Sequence, residues 1–150
     1  MGGMIIALGS DHAGLPLKRS LLAALEAAGH SVLDAGTHDE ASVDYPDFAH
    51  DVAAKVSAGE AERGVLVCGT GIGMAMAANR HPGIRAAVLH DATEARLTRA
   101  HNDCNVACFG ARLLGEEVAR DALSTFLATP YEGGRHERRV AKLSPERHLA

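Results

Sequence analysis

Five short apolar runs, each followed by a stretch with helical spacing, set the strongest limit on how this chain can fold. Residues 4–8 read as a strand, and after them apolar side chains recur at Leu17, Leu21, Leu22 and Leu25, the spacing of an amphipathic helix that Gly29 ends. Residues 30–33 make a weaker strand and residues 36–43 a polar loop. Asp44-Tyr45-Pro46 then puts a capping residue and a proline at the start of a helix reaching about residue 57. The pattern repeats with a strand at 65–68 and a helix from about 71, a strand at 84–89 and a helix at 92–100, and a strand at 106–109 and a helix at 115–127. Parallel neighbours need crossover connections, so this alternation predicts a single α/β domain over residues 1–150, with a mainly parallel five-stranded sheet covered by helices on both faces. Strand order is not encoded in it. The only shift in composition comes at Gly133-Gly134, where a basic tail of about residues 133–150 begins, with 135–142 suited to a final helix.

The third apolar run breaks at a cysteine into alternating glycines: Val65-Leu66-Val67-Cys68-Gly69-Thr70-Gly71-Ile72-Gly73-Met74. Open α/β sheets bind ligands outside the carboxyl ends of their strands, where glycines let backbone N–H groups converge on an anion at the next helix N-terminus. The same donors stabilise negative charge on sulfur. A lone strand cysteine is more often a small core residue, but three glycines directly after Cys68 favour chemistry. The loop is not a phosphate-binding Gly-Lys-Ser/Thr element, because none follows. It is also a poor dinucleotide fingerprint, although Asp91, about 20 residues on, keeps a ribose-binding role open.

Composition narrows what the loop can serve. A net charge of −4 argues against a nucleic-acid scaffold, and 3% aromatic residues with no tryptophan leave few stacking platforms for bases, so any anion binding is local. No apolar run is long enough to span a bilayer and no signal peptide is evident, and Cys68, Cys104 and Cys108 are an odd set without CxxC spacing; a reduced cytoplasm is the expected setting.

Other polar clusters fall near predicted strand ends: Asp11-His12 between Gly9 and Gly14, His90-Asp91, and Arg112. Parallel strands place these clusters on one edge with Cys68. Asp11 alone reads as a helix cap and His12 as a surface residue, while the flanking glycines favour a ligand-approach loop. His101-Asn102-Asp103-Cys104-Asn105 sits at a helix carboxyl end, where such residues serve equally as helix terminators. No pair of ligands there has structural-zinc spacing, so no metal is expected. Arg135 and Arg139 lie one helical turn apart, placed to grip a dianion, against the ordinary alternative of a solvated basic run.

Taken in order, Gly9-Ser10-Asp11-His12-Ala13-Gly14, Asp44-Tyr45-Pro46, Cys68-Gly69-Thr70-Gly71-Ile72-Gly73, Ala77-Ala78-Asn79-Arg80, His101-Asn102-Asp103-Cys104-Asn105-Val106, Phe109-Gly110-Ala111-Arg112 and Gly133-Gly134-Arg135-His136 resemble the ribose-5-phosphate isomerase B family, which includes galactose- and allose-6-phosphate isomerases. The resemblance implies a three-layer Rossmann-like domain and a cofactor-free, metal-free aldose–ketose isomerase acting on a sugar phosphate. It also implies a homodimer, or dimer of dimers, with active sites shared between subunits. On this chain it makes Cys68 the base that moves a proton between C1 and C2. Thr70 and the N–H groups of Gly71, Ile72 and Gly73, next to Gly69, would hold the enediolate oxygens. His101, with Asp11 and Tyr45, would open the furanose ring, and Asn102 would steady the sugar oxygens. His12, Arg112, Arg135 and Arg139 would bind phosphate. Met74 stands where one branch of the family carries a glutamate base, which points to the thiol branch. Leu89 and Cys104 also depart from the common pattern. A hexose 6-phosphate substrate is the nearest alternative to ribose 5-phosphate. A nucleotide-binding module using Gly69 to Gly73 with Asp91, and a metal-dependent sugar hydrolase using Asp11, His12 and His101, are alternatives of other classes.

Overall fold

A computed structural model describes residues 2–148. Strand β1 (Ile5–Ser10) leads to helix α1 (Leu15–Ala27), β2 (Ser31–Asp34) to α2 (Tyr45–Ser57), β3 (Arg63–Cys68) to α3 (Ile72–Ala78), β4 (Ala86–Val88) to α4 (Ala92–Asn102), and β5 (Val106–Gly110) to α5 (Glu116–Ala128). All four strand pairings are parallel, in the order β2-β1-β3-β5-β4. The expected alternation is therefore present, with β4 shorter than the predicted run at 84–89. The tail is not one helix. A 3-10 turn (Gly134–His136) feeds α6 (Glu137–Ala141), and α7 (Pro145–His148) follows; Leu149 and Ala150, the end of the predicted tail, lie outside the described residues.

Side-chain alternation along the central strands divides the core into two layers. Ile6 and Leu8 of β1, Val65 and Val67 of β3, and Ala107 and Phe109 of β5 pack on one face with Leu21 and Leu25 of α1, Ala95 of α4 and Phe126 of α5. Ala7, Leu66, Cys68, Val106 and Cys108 point to the other face, onto Ala49 and Val52 of α2 and Met74 and Ala78 of α3. The period of two thus decides that the Cys68 side chain faces the α2 and α3 layer.

Strand order decides where a cleft opens. From β1 the chain crosses to β2 on one side and then to β3 on the other, so the connections leaving β1 and β3 diverge at their carboxyl ends. Backbone hydrogen bonds join the loops at that point. Asp11 N–H donates to Val67 O at 3.2 Å, and Ala111 and Arg112 N–H donate to Cys68 O and Gly69 O, both at 2.9 Å.

Candidate active site

Cys68 is the last residue of β3 and only 5% exposed, with its Sγ accepting the Gly71 N–H at 3.1 Å. The turn that makes this bond needs a left-handed residue: Gly71 has φ +79°, and a Cβ there would lie 3.0 Å from the Phe109 backbone. Gly71 caps α3, and the Ile72 N–H turns back to Thr70 Oγ1 at 3.3 Å. One expected enediolate donor, the Gly71 N–H, is thus directed at the sulfur instead.

Around this turn, Asp11, His12, Tyr45, Cys68, Gly69, Thr70, Ile72, Gly73 and Arg112 line one open cleft of about 840 Å³. Asp11, 7% exposed, does act as a local cap, its Oδ1 accepting the Gly14 N–H at 2.9 Å. Its neighbour His12 is no mere surface residue. Its Nδ1 accepts the Val43 N–H at 3.2 Å, which leaves Nε2 to carry the ring proton of the neutral form. Tyr45 opens α2, and its ring lies over Gly73, where a Cβ would come within 2.4 Å of it. Sequence reasoning missed Val43 and Asp47, which also line this cleft: a single backbone donor and one acid at a helix start carry no local signature.

The remaining candidates lie elsewhere. His101, Asn102, Arg135 and Arg139 line a second cleft of about 360 Å³ with His136, Val140 and Leu143. His101 and Asn102 are the last residues of α4, whose C-cap Asp103 takes φ +50° and is held by Arg99 Nη1 at 2.8 Å and Arg85 Nη2 at 3.2 Å. His136, to which the sequence assigns no role, stacks its ring on His101 with centroids 4.5 Å apart and planes at 16°.

Two alternatives lose support in the geometry of one chain. Asp91 caps α4 by accepting the Glu94 N–H at 2.7 Å, and β4 is separated from β3 by β5, so Asp91 is not beside the glycine loop as ribose binding would require. Asp11 and His12 are in one cleft and His101 in the other, so within one chain the donor set of the metal-dependent hydrolase is not brought together. Met74, where a glutamate base would stand, is fully buried between α3 and the sheet.

Leu89 and Cys104 prove to be core residues, each 1% exposed. Burial pushes the Cys104 thiol above its ordinary pKa and that of fully buried Cys108 well above it. Cys68 is the thiol that meets the polar cleft.

A family model described as ribose/galactose isomerase matches residues 6–143. The chain belongs to this family. Among its relatives, ribose-5-phosphate isomerase B of Escherichia coli strain K12 is 45% identical over 139 residues, covering 93% of each chain. A Listeria innocua protein named ribose-5-P isomerase B is 39% identical and covers 91% of this chain and 93% of its own. Among solved structures, ribose-5-phosphate isomerase B of Clostridium thermocellum superposes with a TM-score of 0.94 at 46% identity, covering 98% of this chain and 100% of the other. The type B enzyme of Trypanosoma brucei gives 0.92 at 45% identity, with coverage of 96% and 99%. These likenesses extend over both clefts, since the matched segment includes Asp11 through Arg139.

Proposed function

We propose that this member of the ribose/galactose isomerase family interconverts ribose 5-phosphate and ribulose 5-phosphate through an enediolate, with Cys68 as the base. The observation that carries the role of Cys68 is its position at the end of β3, its sulfur held by the Gly71 N–H and bordering a polar cleft. Proton abstraction next to a carbonyl needs a base at the carbon and donors where charge grows on oxygen. The thiolate takes the proton from C2 of the open-chain aldose while the electrons of that C–H bond move toward the carbonyl oxygen. Return of that proton from sulfur to C1, with transfer of the O2 proton to O1, completes the ketose. With Gly71 engaged, the donors left for the two oxygens are the Thr70 hydroxyl and the unpaired N–H groups of the first turn of α3.

Ring opening falls to His101, assisted by Asp11 and Tyr45, with Asn102 on the sugar hydroxyls and His12, Arg112, Arg135 and Arg139 on the phosphate. One chain holds these groups in two clefts, so the working site joins the Cys68 cleft of one subunit to the His101 cleft of a second copy. Exposed apolar side chains at both rims support such a homodimer: Ile72 and Met76 at the first cleft, 48% and 62% exposed, and Leu143 at the second, 60% exposed.

Replacing Cys68 with alanine should lower kcat on ribose 5-phosphate by roughly 10²- to 10⁴-fold, the range for a general base, with an unchanged circular dichroism spectrum. Near-normal turnover by a folded variant would remove the thiol from the mechanism. Catalytic efficiency on ribose, allose and galactose phosphates tests the substrate. One hydroxymethylene is worth only about 1–3 kcal/mol of discrimination, so side activity is expected, and a hexose phosphate preferred by more than about tenfold would overturn the pentose assignment.

A further inference from the structure

Beside His101, the second cleft brings together Glu132 and His136, two donors to which the sugar chemistry assigns no part. One ligand atom each from His101, Glu132 and His136 can be chosen so that all three lie within 4.8 Å of one another. His136 is 7% exposed, and its Nε2 is buried without a hydrogen-bond partner among the described residues. Glu132 Oε1 lies 3.5 Å from that nitrogen. A buried ring nitrogen left unpaired is uncommon in folded proteins and points to a missing ligand. The backbones carrying these donors are tied together: Glu132 N–H donates to Ala100 O at 3.0 Å, one residue before His101, and His136 N–H donates to Gly133 O at 3.0 Å.

We propose that His101, Glu132 and His136 bind a divalent transition ion of the zinc class, and that the bound ion inhibits the enzyme by occupying His101. Two imidazoles and one carboxylate form a common zinc donor set, and four-coordinate zinc sets its ligand atoms about 3.3–3.6 Å apart. The Glu132–His136 pair already has this separation, and the His101 ring, stacked nearly parallel on His136, turns out of that stack as it closes about 1 Å so that both ring nitrogens aim at one ion. Three protein ligands leave a fourth position open. Arg135 and Arg139 line the same cleft and disfavour a bare dication, so the ion is held with an anion in that position, where the guanidinium groups meet it. Binding stands on the geometry alone, whereas inhibition also rests on the role proposed for His101.

The test uses the full-length protein freed of metal by dialysis against chelator, then titrated with Zn²⁺ by calorimetry and with Co²⁺ by absorption. The structure predicts one ion per chain in wild type and in Cys68→Ala, with tetrahedral cobalt bands and no thiolate charge-transfer band. Glu132→Ala, at an exposed side chain that leaves metal-free turnover unchanged, should weaken binding by roughly tenfold or more. Zn²⁺ should suppress turnover of ribose 5-phosphate over the concentration range in which it binds, and chelator should restore it. Binding that survives Glu132→Ala unchanged, or that vanishes in Cys68→Ala, places the ion on the thiol and overturns the site. The predicted binding with undiminished turnover at saturation supports the site and overturns the ring-opening role of His101.

Discussion

Arg135, Arg138 and Arg139 lie within five residues of one another, yet only Arg135 and Arg139 line the cleft with His101. Phosphate contacts persist from the bound substrate to the transition state, so losing one raises KM without slowing the saturated reaction. A hydrogen bond to a charged group is worth roughly 1.5–3 kcal/mol, or at least about tenfold in affinity. Steady-state kinetics of Arg135→Ala and Arg139→Ala should therefore show KM raised tenfold or more with kcat little changed, and Arg138→Ala should resemble wild type. Equal, negligible effects at all three positions would put the phosphate elsewhere. The pairing of Arg135 with Arg139 was readable from their spacing, although the 3-10 turn at Gly134–His136 shows that the segment is not the regular helix which that spacing implied.

At the level of elements, the loop after β2 is fixed by a charge from α1. Lys18 is 1% exposed; its Nζ donates to Asp34 Oδ1 at 2.6 Å and to Thr37 O at 2.7 Å. Asp34 Oδ1 also accepts the Gly36 N–H at 3.0 Å, and the Gly36 and Thr37 backbones pair with Ser10, directly before Asp11. Removing one member of a fully buried ion pair costs about 3–5 kcal/mol, but the Asp34 side chain is 26% exposed and water can rehydrate it, so about 2–3 kcal/mol is the appropriate figure for Lys18→Met. Urea denaturation should show the midpoint falling with little change in slope. A midpoint within error of wild type would mean that the buried pair does not hold the loop. Helical periodicity placed Leu17, Leu21 and Leu25 on the buried face of α1, but gave no reason to bury the lysine beside them.

For the whole molecule, a site divided between subunits makes a prediction that a self-contained site does not. Cys68→Ala and His101→Asn would each be inactive as homodimers. A mixed dimer would carry both lesions in one site and an intact Cys68 and His101 in the other. Dissociating and reassociating the two variants in equal amounts should thus restore about a quarter of wild-type activity, since half the dimers are mixed and each has one intact site of two. No recovery, with exchange confirmed by differently tagged subunits, would show that each chain works alone.

The sequence by itself determined the elements and the residue types at their ends. Period-two and period-3.6 patterns are local, and so is a cysteine that breaks a strand before three glycines; each is set by backbone sterics and by neighbours a few residues away. The ordered motifs likewise identified the family from residue types alone. Only the tertiary structure decided that β3 lies between β1 and β5, which brings Asp11, Cys68 and Arg112 to one cleft and leaves Asp91 beyond β5. It also decided that His101 stacks on His136, with Glu132 beside them. These proximities depend on which crossover packs against which sheet face, a property of long-range burial that no local spacing records.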